Sequence, residues 1–145
     1  GGLAQEAGVP AIIGPREVDM PSGRTRTDGK FLGIAAGYQE RGHEMVGFNT
    51  DCVGGFGVTQ EELSLQAAVA CRYGFDNSTM DAVRGLTIVP AITCGIAADA
   101  GSIEVGKLAD LIAVSGDPID PRSTVEIVWI RGRRMYDTRA EERRW

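Results

Sequence analysis

Apolar positions along this chain fall into two kinds of run. Short continuous runs bounded by glycine or proline suit buried strands. They are Val9-Pro10-Ala11-Ile12-Ile13, closed by Gly14-Pro15; Met45, Val46 and Phe48, after a turn at Gly42; and Leu111 to Val114. Runs at helical spacing lie between them: Phe31, Leu32, Ile34, Ala35, Ala36 and Tyr38 up to Arg41; Leu63, Ala67, Ala70 and Cys71 up to Gly74; then Val83, Leu86 and Ile88. Leu3 to Ala7 reads as the last turn of a helix with Gly8 as its C-cap. Thr59 and Glu62 form a capping box before Leu63. Asn77-Ser78-Thr79 caps a helix starting near Met80, which Pro90 is expected to kink or divide before Gly95.

The pattern changes at Gly101. Gly101 to Asp110 is rich in turns, and Gly116-Asp117-Pro118 is another turn. From Val125 to Ile130, Val128 and Ile130 stand opposite Val125, Ile127 and Trp129, and Arg131-Gly132-Arg133 turns the chain into Arg134-Met135-Tyr136. This predicts a hairpin and a partner strand, with Val125, Ile127 and Trp129 packed on Leu111 to Val114. The order is therefore two βα units, further helices, and a small all-β tail. Consecutive βα units favour a parallel sheet covered by helices. Two parallel strands are too few to be stable alone, so further strands are expected from elsewhere. A chain that opens on the end of a helix also reads as one with something missing upstream.

At 145 residues, 43% hydrophobic and 24% charged, the chain has the size and composition of about one soluble globular domain. A net charge of −5 gives no electrostatic case for nucleic acid or an anionic membrane. No apolar run approaches the ~20 residues of a membrane span, and no signal peptide is visible. Cys52, Cys71 and Cys94 fit neither a zinc pattern nor a disulfide framework, and are read as buried free thiols in a reducing cytoplasm.

The chemistry concentrates in Glu44-Met45-Val46-Gly47-Phe48-Asn49-Thr50-Asp51, an apolar run that ends in a carboxylate. An acid at the C-terminal end of a buried parallel strand stands where an α/β barrel builds its active site. The alternative is a turn former or helix cap. His43, the only histidine, falls between a helix and the following strand, at the end opposite that face. It is read as structural or solvent-facing. One imidazole furnishes neither a complete zinc hydrolase site nor a Ser-His triad with a spare. The long polar loop from Arg16 to Thr27 follows the first strand and makes Arg16, Glu17 and Asp19 candidates to face a substrate.

Gly101 to Ile112 (GSIEVGKLADLI), Gly116-Asp117-Pro118 and Val128 to Arg133 (VWIRGR) together resemble the C-terminal signature of the amidohydrolase superfamily. Ala82 to Ile96 resembles the preceding helix in its imidazolonepropionase-like branch. Val46 to Asp51 resembles the strand-eight segment and Val9 to Pro15 resembles strand seven. The similarity runs from about Ala7 to Asp137. It implies the C-terminal part of a (β/α)8 barrel, strands seven and eight with their helices, in residues 1–98. Residues 99–145 would give C-terminal strands of a small β-sandwich and a tail. The resemblance implies one or two divalent metals, often zinc, bound by a His-x-His pair, a mid-barrel carboxylated lysine or carboxylate, two later histidines, and the strand-eight aspartate. Only that aspartate has a match here, Asp51, while His43 matches none of the histidines. Asp51 would then be both metal ligand and catalytic acid/base, since a carboxylate beside a cation keeps a low pKa yet can move a proton. Asn49, Thr50 and Arg16 are the substrate-pocket candidates. Lys107 and Asp110 read as structural.

The enzymatic expectation is a C-terminal portion or small subunit hydrolysing a C–N bond of a small-molecule amide, cyclic amide or amidine. Its remaining ligands would come from the N-terminal part of the barrel, as a separate chain or a missing portion, within an oligomer. The competing expectation is a non-catalytic remnant of the same fold that binds a partner or stabilises an assembly.

Overall fold

The computed structural model describes residues 2–14, 32–51 and 63–140. Strands β1 (Ala11–Ile13) and β2 (Val46–Phe48) pair in parallel, with Ala11 opposite Val46 and Ile13 opposite Phe48. The ladder continues past both ends: Ala11 N–H donates to the Met45 carbonyl (2.9 Å) and Asn49 N–H to the Ile13 carbonyl (3.0 Å). All of β2 is buried. Helices α1 (Gly2–Glu6) and α2 (Ile34–Gln39) precede these strands, and α3 (Leu63–Arg72), α4 (Asp81–Leu86) and α5 (Ile88–Thr93) follow β2.

Helices α1, α2, α3 and α5 end in one motif. Gly8, Gly42, Gly74 and Gly95 take positive φ, and the residue after each donates its N–H back five residues, as Val9 does to Ala4 and Phe75 to Ala70. A left-handed glycine followed by this bond closes the last carbonyls of a helix, which is why these glycines were legible as stops.

The break between α4 and α5 falls at Thr87 (φ −128°, ψ −83°), earlier than the sequence suggested. A proline at position 90 has no N–H for the Leu86 carbonyl and its ring collides with that group. The chain yields there, leaving Pro90 in the first turn of α5, where an N–H has no helical partner anyway. Upstream, the Asn77 side-chain oxygen accepts the Ala82 N–H (2.8 Å), so the expected cap belongs to Asn77. The capping box at Thr59 and Glu62 lies outside the described residues.

Packing around β2 is unusually close. A Cβ on Gly85 of α4 would lie 2.7 Å from the Val46 carbonyl oxygen and 2.7 Å from the Phe48 ring. A Cβ on Gly47 would lie 2.6 Å from Ile12 and 3.0 Å from Val89. Helix and strand backbones therefore touch. Small side chains fill the surrounding layer: Ala35, Ala36, Ala67, Ala70 and Ala82 are buried, and Phe48 meets Phe75 edge to face at 5.6 Å.

Strands β3 (Leu111–Val114), β4 (Val125–Ile130) and β5 (Arg133–Asp137) form an antiparallel sheet in that order. Leu111 pairs with Trp129 and Ala113 with Ile127, as expected, and Trp129 is half-buried. Arg131 (φ 50°) and Gly132 (φ 74°) make the two-residue turn between β4 and β5, whose positive φ values match the twist of the strands. The turn is tied down from the preceding loop. Asp110 Oδ1 accepts the Arg131 N–H (2.6 Å), and the Ala109 carbonyl accepts the Gly132 N–H (2.9 Å). Gly101 sets this loop on the α4–α5 junction, where a Cβ would come 2.6 Å from the Ala91 methyl and 3.1 Å from the Thr87 carbonyl oxygen. Ile119 enters the hydrophobic core from the β3–β4 connection, its N–H held by Asp117 Oδ1 (3.0 Å).

One side-chain expectation needs correction. Cys94, at the end of α5, is exposed rather than buried, because the helix terminates there at the surface; Cys71 is half-buried. Of the two readings of His43, structural or solvent-facing, the structure shows the first, since the side chain is fully buried. No helix among the described residues is long and apolar enough to cross a membrane.

Gly85→Ala should destabilise the protein by about 1–3 kcal/mol, the usual range for overpacking. Gly37→Ala, whose new methyl would meet only Arg41 Nη1 at 3.6 Å and Leu32 at 3.9 Å, should be neutral or stabilising by up to about 1 kcal/mol. Urea denaturation of the two variants checks the contrast. Asp110→Ala removes a charge-assisted bond to the hairpin and should cost about 1–3 kcal/mol in the same assay, leaving turnover per folded molecule unchanged.

Candidate functional site

The C-terminal ends of β1 and β2 lie side by side, and Asn49, Thr50 and Asp51 follow β2 there in succession. Asn49 is anchored through its backbone bond to Ile13, so the segment leaves the sheet at a fixed point. Its Oδ1 is buried and has no hydrogen-bond partner among the described residues, and the would-be Cβ of Gly14 lies 3.5 Å from it. Thr50 is buried at 8% exposure. Asp51 is exposed and left-handed (φ 48°). That conformation is uncommon for a residue with a side chain, though Asp and Asn adopt it more readily than most. Its carboxylate makes no hydrogen bond or ion pair among the described residues. The structure thus brings Asn49, Thr50 and Asp51 to one mouth. Arg16 lies outside the described residues. The part missed from sequence is the unpaired Asn49 oxygen beside Gly14, which read only as a turn before Pro15.

Several carboxylates elsewhere are engaged in turns. Hydrogen bonds from the Ser78 N–H and hydroxyl hold Asp76 below its usual acidity range. The Ser102 hydroxyl and Lys107 lower Glu104. The Arg122 guanidinium and N–H bring Asp120 down to about 2. Lys107 is engaged with Ser102 and Glu104, and Asp110 with the hairpin. The structural reading of the signature residues stands.

His43 lies beyond the opposite end of β2 from Asp51. Its Nδ1 is 3.0 Å from Gln5 Oε1 and its ring meets Tyr38 edge-on at 5.6 Å. Since an amide oxygen only accepts, Nδ1 carries the proton. The ring ties α1 to the approach to β2. It is far from the mouth and adds nothing to a metal site there.

A divalent cation needs oxygen and nitrogen donors with lone pairs free. Asp51 meets that requirement for one ligand position. No group of three or more His, Cys, Asp or Glu side chains is gathered for a metal among the described residues. Among the described residues the mouth therefore offers one ligand position, that of Asp51.

The chain matches the model of the Amidohydrolase family over residues 8–135. Among solved structures it is similar to an amidohydrolase from Thermotoga maritima MSB8, with 32% identity and a TM-score of 0.68, over 94% of this chain and 33% of that one. It is similar to a Xaa-Pro dipeptidase with methionine bound in its active site, with 30% identity and a TM-score of 0.58, over 70% of this chain and 24% of that one. An adenosine deaminase from Xanthomonas campestris with bound Zn shares the fold at 23% identity and a TM-score of 0.60, over 94% of this chain and 34% of that one. No curated protein matches. The chain thus spans a third or less of the first two of these structures, and the family and its structural neighbours imply a TIM-barrel-type fold. On the match over most of its length, this chain belongs to the amidohydrolase family.

Proposed function

We propose that this chain is the C-terminal portion of a metal-dependent amidohydrolase that hydrolyses a C–N bond in an amide, cyclic amide or amidine. The observation that carries the reading is Asp51, a carboxylate with no hydrogen bond or ion pair among the described residues, at the C-terminal end of a buried parallel strand in a chain of this family. Residues 1–98 would supply the last two β/α units of a (β/α)8 barrel, and residues 99–145 the C-terminal strands of a β-sandwich. Two features support that division. The parallel sheet has two strands among the described residues, so both its outer edges await neighbours. The antiparallel sheet is apolar on both faces, Leu111 and Trp129 on one and Ile112, Val128 and Tyr136 on the other, and Ile112 is 60% and Tyr136 51% exposed. A sheet apolar on both faces calls for a layer on each side.

The N-terminal portion of the barrel, in the same or a separate chain of a cytoplasmic oligomer, would bring the histidines. A bound divalent cation, zinc in our reading, supplies positive charge that acidifies the attacking water and polarises the scissile group. The residues of this chain do the rest. Asp51 is both ligand and proton carrier: its second carboxylate oxygen accepts the proton of the attacking water and returns it to the leaving nitrogen. Its position after a buried strand keeps that oxygen in place between the two transfers. Thr50 and Asn49 line the wall beside it, and Arg16 is a candidate on the neighbouring loop. The imidazolonepropionase-like branch is our assignment from Ala82 to Ile96.

Asp51→Asn in the complete enzyme keeps the shape and part of the ligand capacity but loses the proton acceptor. Turnover should fall by about 10²–10⁴-fold, with a smaller loss of bound metal; Asp51→Ala should lower both. A loop-capping Asp predicts instead a stability loss of about 0.5–2 kcal/mol with normal turnover per folded molecule. Metal content, melting temperature and turnover of the two variants separate these cases, and unchanged turnover in folded Asp51→Asn contradicts the proposal.

A further inference from the structure

We infer that Asn49 is a positioning residue: its side-chain carbonyl, unpaired beside Gly14 at the strand ends, accepts a hydrogen bond from the ring N–H of a metal-binding histidine brought by the rest of the enzyme. The inference rests on the metal-dependent reading above and assigns a role within it that Asp51 does not fill.

The amide is held by its backbone. Asn49 N–H donates to Ile13, which fixes the residue across the ends of both parallel strands. Its Oδ1 is shut away from solvent without a donor. A buried carbonyl left unpaired opposes folding, so such groups are rare unless a donor arrives later. Three other side-chain amides are paired: Asn77 with the Ala82 N–H, Gln39 with the Asp76 backbone, Gln5 with His43. Gly14 places no side chain between Oδ1 and the end of β1. Shielding from solvent favours a donor that packs in with the protein over one that diffuses in with substrate. A histidine that binds a metal through one nitrogen characteristically gives its other N–H to an oxygen acceptor, which fixes its tautomer and ring orientation. Asn49 stands two residues before Asp51 and presents such an oxygen.

The test titrates zinc into the metal-free complete enzyme against a competing chelator. Asn49→Leu and the less bulky Asn49→Ala both remove the acceptor and should bind zinc about 10–100-fold more weakly. Asn49→Asp retains an acceptor and should bind at least as tightly as the wild type. The melting temperature of each metal-free variant is measured alongside; a purely structural Asn49 predicts a lower melting temperature with unaltered zinc affinity. Wild-type zinc affinity in Asn49→Leu or Asn49→Ala, with affinity lost in Asp51→Ala, overturns this inference and leaves the proposed function standing. Wild-type affinity in all of these variants overturns both.

Discussion

The backbone contact between α4 and β2 is the constraint on which the remaining geometry depends. Gly85 lies against the Val46 carbonyl and the Phe48 ring so closely that no side chain fits between them. That contact sets the depth of β2, and the parallel pairing with β1 then sets the height at which Asn49, Thr50 and Asp51 emerge. The same helical junction receives Gly101 against Ala91 and Thr87. The loop that caps the β4–β5 hairpin is thereby fixed to the layer that backs the candidate site. Alanines rather than large side chains surround this contact, so the layer has little room to absorb added volume, and packing at organic-crystal density transmits any shift.

Much of this was legible in the chain because the signals were local. Gly8, Gly42 and Gly74 followed apolar helical runs and do end helices, since a left-handed glycine closes a helix irrespective of its tertiary surroundings. Arg131-Gly132 read as a turn between strands and is one. What the sequence hid was tertiary. Nothing local marks Gly85 as the point where helix meets strand, and Gly14 looked like an ordinary turn. Pro90 signalled a break, yet its position was set by the carbonyl one turn upstream. His43 could have been polar surface; its burial depends on Gln5, 38 residues away in sequence. At the site, the run from Met45 to Asp51 placed the carboxylate correctly at a strand end. Whether its polar atoms were engaged could be learned only from the structure.

That contrast ties structure to function. Asp76, Glu104, Asp110, Asp117 and Asp120 each hold a turn or a hairpin in place, work that a carboxylate does with its lone pairs occupied. At the mouth, Asp51 and Asn49 have no such partner among the described residues. The chain spans about a third of the solved amidohydrolase to which it is similar, and among the described residues its parallel sheet has two strands with an unpaired amide oxygen at their ends. The most direct measurement is anomalous diffraction at the zinc edge from crystals of the complete enzyme containing this chain. The account predicts a zinc peak with Asp51 oxygen at about 2.0–2.2 Å and histidine nitrogens from outside this chain completing the ligand set; a metal bound without Asp51, or an Asp51 carboxylate turned away to cap its own loop, would contradict it.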